Sequence, residues 1–479
     1  MKIINKYLFF GLALIGAACA DRLELEPQQS VSTDAAFENI GDFQNAVYGL
    51  YSGMQNNSYY GRNFPALMDA SSDNGNIPDG AGARLTSYYT LDLNPTNTTL
   101  GTWTQLYNVI GRANQIINRI DGVSGDDDVK DRLKGEALFV RAICHFDLMR
   151  VFAQDYNFTG NASHLGVPYI TANDIGYPSR DDASTVFTNI LADLNEAAGL
   201  LTTVKETSDN ADEASRMAVV ALRARVHLYM GNYTSALADA NTVINSGNYT
   251  LANYIIDPLD PTQIDSWSDP DPTSESIFEL ESSTTDSSYP GLEGLAAIYN
   301  RVEGYGDLGP SDDIIAMYDA ADVRNAWYVN VGGVNFVNKY PGQGGNTREF
   351  TTPVLRLSEM ILIKAECLAR AGGQDVQAQD AVNLITARAN APAITSFGVD
   401  LLADILDERR RELAFEGHRY GDIKRLQLDI DRGSGCTLTN GNCLISYGDK
   451  LFAWPIPQEE IDANPNMEQD ALWTAAAGS

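Results

Sequence analysis

Two stretches of the chain combine aromatic rings with short polar side chains in the way a sugar site requires. A sugar ring presents a flat C–H face and a rim of hydroxyls, so it needs aromatic platforms with Asp, Asn or Arg at their edges. Between 56 and 102 the candidate platforms are Tyr59, Tyr60, Tyr88 and Tyr89, with Asp69, Asp73, Asn74 and Asn76 as rim partners. Between 251 and 350 they are Trp267, Tyr289, Tyr305 and Trp327. Both stretches are rich in Gly, Asn, Asp and Ser and read as long loops, where binding sites are commonly built. A single aromatic in such a segment is more often a packing residue; the set predicts that at least two are platforms.

Bond-breaking chemistry has weaker support. No GxSxG, HExxH, P-loop or CxxC motif occurs, and the Gly80 and Gly82 pair follows no predicted strand. With 64 acidic residues, a carboxylate pair suited to glycoside hydrolysis stays open as an alternative. The four histidines, His145, His164, His227 and His418, lack metal-ligand spacing. Asp69 and Asp73 could hold calcium, but Gly75 stands where a calcium loop needs a ligand, so no cofactor is predicted and calcium is the alternative.

The elements that would position these loops are helical. Apolar residues recur at helical spacing over 34–54, 103–120, 129–152, 185–201, 217–229, 233–244, 355–370 and 377–389. The stretch 217–249, helix, Gly231-Asn232 turn, helix, follows tetratricopeptide grammar, and the other segments pair in the same way. The expected fold is mainly α: a tetratricopeptide-like scaffold of about four helix pairs in which each unit buries its neighbour's face. Helical repeats occupy 34–54, 103–250 and 352–428, and the loop regions 56–102 and 251–350 face the ligand. Trp103, Tyr107 and Trp454 are assigned to the core.

Residues 352–428 contain an anomaly. Leu401, Leu402, Ile405 and Leu406 lead towards Leu413 and Ala414, but Arg409 and Arg410 interrupt the apolar stripe. A guanidinium facing a core must be paired and hydrogen-bonded. Glu359 and Glu366 on the preceding helix are the expected partners, or Glu412 and Glu416 locally; a solvated cluster is the alternative.

These residues also carry a resemblance. Arg356-Leu357-Ser358-Glu359-Met360, Lys364-Ala365-Glu366, the run from Glu408 to Arg419 and Asp422-Ile423-Lys424-Arg425 resemble the C-terminal signature of the SusD/RagB family. The closing segment from Phe452 to Gln469 is similar to that family's last motif, although Asp470-Ala471-Leu472-Trp473 departs from its usual ending. The resemblance implies an outer-membrane, surface-facing lipoprotein that captures nutrients, mostly glycans. It would deliver them to a SusC-like TonB-dependent transporter without acting as an enzyme. Some relatives take peptides or glycoproteins, which is the alternative ligand class.

The N-terminal residues agree with export. Lys2 and Lys6, an apolar run from Tyr7 to Ile15 and Gly16-Ala17-Ala18 form a signal peptide over 1–18, too short to span a bilayer as a finished helix. Cys19 follows as the expected lipidation site, with Gly16 where a lipobox usually has Leu. The mature body, 19–479, is then one SusD-like domain attached to the membrane through its lipid anchor alone. A formal charge of −31 disfavours nucleic acid and other polyanions. Cys436 and Cys443 flank a polar loop in an exported chain and are expected to form a disulfide.

Overall fold

The first helix among the described residues is set by Asn39, whose side chain accepts from the Gly41 N–H while Asp42 accepts from the Asn39 N–H at 3.0 Å. This reciprocal cap starts α1 (Ile40–Met54) six residues later than the helical pattern suggested. The computed structural model describes residues 36–475 except 79, 98–100, 203–209, 255, 258–259, 265–273, 284–289, 302–303, 344–345, 434–435, 437, 439 and 441. Cys19, Trp267 and Tyr289 lie outside the described residues.

After α1 come two short helices, α2 (Asn63–Ala70) and α3 (Thr86–Tyr89), within the first loop region. Then the long helices follow one another through space in chain order. α4 (Thr102–Arg119) lies on α1, α5 (Asp127–Phe152) on α4, α6 (Ala183–Leu200) on α5 and α7 (Arg216–Tyr229) on α6. α8 (Tyr233–Asn245) packs on α7, α9 (Leu357–Ala371) on α8 and α10 (Asp375–Arg388) on α9. α11 (Gly398–Glu412) touches both α9 and α10, and α12 (Arg419–Arg425) returns to α2. The fold is a mainly α helical-repeat scaffold, and the helices paired by periodicity are neighbours. α9 stops at Gly372, whose φ of +71° a glycine adopts without the Cβ clash other residues meet.

Strands tie the loop regions to this frame. β1 (Gly75–Asn76) pairs antiparallel with β3 (Gly309–Pro310), joining the first loop region to the second. β2 (Ser276–Ser282) pairs with β6 (Phe350–Arg356), which runs straight into α9. Between them β4 (Tyr328–Val331) and β5 (Val334–Val337) form a hairpin.

A buried ionic network holds the C-terminal helices. Glu359 is buried and takes Arg225 of α7 bidentately at 2.9 and 2.5 Å, with Arg409 at 3.4 Å. Arg409 also pairs with Asp422 at 2.9 Å, and Arg425 joins Asp422 to Glu366 at 2.7 Å each. The Arg409–Glu359 clamp is therefore present. Glu366, however, is held by Arg425 and Arg370, and Arg410 turns away from all four expected glutamates to donate to Asn74 Oδ1 at 2.7 Å and approach Asp73 at 3.3 Å. Adjacent helical residues are about 100° apart, so Arg409 and Arg410 cannot both face α9. Beside this cluster Arg356, Arg324, Arg388 and Lys339 surround Glu412, Glu416, Glu408 and Glu275, all buried. Burial pushes the Glu412 carboxyl up, but Arg388, Arg356 and Arg324 outweigh it and hold the group well below the usual range.

Candidate functional site

The polar loops fold back on the scaffold and bury four of the six described rings that the sequence offered as platforms. Tyr59 is 0% exposed and its hydroxyl donates to Asp147 at 2.7 Å; Tyr60 donates to the same oxygen at 2.8 Å. Tyr88 is 2% exposed and packs edge-on against Trp454, and Trp327 is 1% exposed with the Lys339 ammonium 3.9 Å from its ring centre. These four are corrected from platforms to core residues. Buried carboxylates and cations satisfy tyrosine hydroxyls and ring faces as water would, so a Tyr-rich polar loop can turn inward.

Three of the four proposed rim residues of the first loop, Asp69, Asp73 and Asn74, are also committed inside, while Asn76 is exposed. Asp73 receives Arg419 through two bonds of 2.7 Å, and Asn74 accepts from Arg410. Asp69 is buried; its Oδ2 accepts the Gly417 N–H and the Tyr299 hydroxyl, both at 3.0 Å. No group of three or more His, Cys, Asp or Glu suited to a metal ion occurs among the described residues.

Burial pushes the Asp69 carboxyl up to about 7, and its two donors only partly offset this. The Asp422 carboxyl goes the other way: burial raises it, but Arg409 and Arg425 draw it down to about 2. Between about pH 4 and 7 the folded protein holds a proton on Asp69 that the unfolded chain has released, so stability falls as pH rises through that window. Below about pH 4 the unfolded chain protonates Asp422 first, and stability falls with acidification. From these two carboxyls the melting-temperature profile should peak near pH 4 and fall towards pH 7, and Asp69→Asn should flatten that alkaline limb. A wild-type profile that is level from pH 5 to 8 would contradict this assignment.

Two rings remain partly open, and the β1–β3 pairing brings their segments together. Tyr89, at the end of α3, is half-buried; its hydroxyl donates to Asn76 of β1 at 3.1 Å and the Arg432 guanidinium lies 5.0 Å from its ring centre. Tyr305, four residues before β3, is also half-buried, with the Arg84 guanidinium 4.0 Å from its ring centre. Arg84 is fixed by Asp307 at 2.9 Å and Glu293 at 3.0 Å, and Asp307 accepts the Gly82 N–H at 2.7 Å. Asn76 thus meets one half-buried tyrosine and Arg84 another, and each ring lies beside an arginine.

A disulfide supports the Tyr89 side. Cys436 and Cys443 are bonded, as their spacing suggested, and Asn440 and Asn442 of that loop donate to the Thr90 carbonyl at 2.7 and 2.8 Å. Replacing both cysteines by serine should cost about 2–3 kcal/mol from loop closure. Urea unfolding of the oxidised protein and the double variant measures this; identical midpoints would contradict it. Sequence reasoning missed Arg84, Arg432 and Asp307, since no spacing marks a loop arginine that settles on a distant ring.

Known proteins resolve what kind of scaffold this is. Residues 319–473 match the model of the SusD family, and residues 21–228 match a second model described as starch-binding associating with outer membrane. The chain belongs to the SusD/RagB family. SusD-like protein P2 of Formosa agariphila is 27% identical to this SusD/RagB chain, across 96% of it and 98% of the relative. The starch-binding protein SusD of Bacteroides thetaiotaomicron is 32% identical over a segment that covers 25% of this chain and 21% of its own. Among solved structures, a SusD superfamily protein from Bacteroides thetaiotaomicron superposes with a TM-score of 0.80 at 29% identity, covering 90% of this chain and 99% of its own. Another from Bacteroides vulgatus gives 0.79 at 28%, covering 91% and 99%. This SusD-family chain has no described helix long and apolar enough to cross a membrane.

Proposed function

We propose that this SusD-family protein binds a glycan at the cell surface and delivers it to a SusC-like TonB-dependent outer-membrane transporter, held to the membrane by a lipid on Cys19. The observation that carries the reading is the junction of the two loop regions at β1 and β3, where Tyr89 bonds to Asn76 of β1 and Tyr305, four residues before β3, lies against Arg84. Partly open rings next to fixed arginines offer a platform for a sugar's C–H face and N–H donors for its hydroxyls together. Family membership supports the glycan and the transporter as partners, and the matched starch-binding description supports the ligand class.

The soluble form, 20–479, should bind members of an oligosaccharide panel and release no reducing ends. Full-length protein extracted from outer membranes in mild detergent should bring a large β-barrel protein with it. Turnover of a bound oligosaccharide would contradict the capture role, and extraction without a barrel would contradict the delivery role.

A further inference from the structure

A cleft lined by neither Tyr89 nor Tyr305 lies between α1 and β2, with a volume of about 510 Å³. Its wall carries four carboxylates, Asp212, Glu213, Glu279 and Glu281, and no Lys or Arg among the described residues. Tyr48 of α1 lines it and is 54% exposed. Glu279 sets this cleft apart from an ordinary acidic surface. It points off a buried strand, is only 4% exposed and accepts from Ser276 on Oε2, with no further side-chain donor among the described residues. Elsewhere in this protein buried carboxylates such as Glu359, Glu366 and Glu412 are met by guanidiniums. Burial, with Asp212 and Glu281 nearby, pushes the Glu279 carboxyl up to about 7.

We propose that this cleft is a second glycan subsite that takes an amine-bearing sugar, with its ammonium against Glu279 and its C–H face on Tyr48. The inference rests on the glycan-capture reading and adds a charge preference to it. A bare metal ion fits poorly, because the carboxylates do not converge into a metal-binding group. An organic cation suits a roomy cleft with dispersed carboxylates and an open ring, since charge and ring face act on different parts of one ligand.

The test uses the soluble form, 20–479, titrated with a glucosamine tetramer, its N-acetylated counterpart and trilysine. The glucosamine tetramer should bind about tenfold more tightly than the acetylated form, equivalent to one charge-assisted contact. Glu279→Gln should abolish that preference without lowering the melting temperature, and Tyr48→Ala should weaken glucosamine binding several-fold. Equal binding of the two tetramers, a preference that survives Glu279→Gln, or trilysine binding as tightly as the amino sugar would each overturn the subsite. Failure of every glycan in the wider panel would instead overturn capture itself, whereas neutral glycans bound through Tyr89 and Tyr305 with no amine preference would overturn only this inference.

Discussion

Replacing Arg356 with methionine is expected to destabilise the protein by about 3–5 kcal/mol, the usual cost of leaving buried charges without their partner. Arg356 stands at the joint between β6 and α9 and is 2% exposed. It donates to Glu416 at 2.7 and 2.8 Å, to the Glu412 carboxylate at 2.6 Å and to the Glu412 carbonyl at 2.8 Å. Methionine would fill much of the space but supply no proton to any of these oxygens. The remaining cations, Lys339, Arg324 and Arg388, already serve the same carboxylates and cannot also replace Arg356. Arg370→Ala gives the contrast. Arg370 is partly exposed and Glu366 keeps Arg425, so that loss should stay below about 1 kcal/mol. Chemical denaturation of both variants decides the matter; an Arg356→Met protein within 1 kcal/mol of wild type would mean that the network adds little to stability.

The second large effect is on capture. Tyr89→Ala combined with Tyr305→Ala should weaken oligosaccharide binding at least tenfold, about 1.4 kcal/mol, and leave the melting temperature nearly unchanged. Each ring is half-buried, so neither truncation opens the core as loss of Tyr59 or Tyr88 would. Each single variant should give part of the loss, because Tyr89 meets Asn76 and Tyr305 meets Arg84 where the two loop regions join. Isothermal titration against the strongest glycan of the panel separates these cases. Undiminished affinity in the double variant would place the ligand elsewhere.

The helical frame was legible because periodicity records which face of a helix is buried, and Arg409 stood out because it interrupted such a face. Its partners were less legible. Arg225 reaches Glu359 across 134 residues of sequence, and only the stacking of α7, α8 and α9 brings them together. The platforms were harder still. Tyr88 and Tyr89 are neighbours in one helical turn, yet the first is sealed against Trp454 and the second reaches Asn76 near the surface. Composition marks such a stretch as a loop; the direction of each ring depends on whether a buried carboxylate such as Asp147 waits behind it. The disulfide was readable because Cys436 and Cys443 are close in sequence and flank one loop, so no distant contact had to be known.

Hydroxyl-radical footprinting of the tyrosines, with and without a bound neutral oligosaccharide, tests the capture surface most directly. Protection confined to Tyr89 and Tyr305, with Tyr59, Tyr60 and Tyr88 unreactive in both states, is the predicted result. Ligand-dependent protection that leaves Tyr89 and Tyr305 untouched would contradict it.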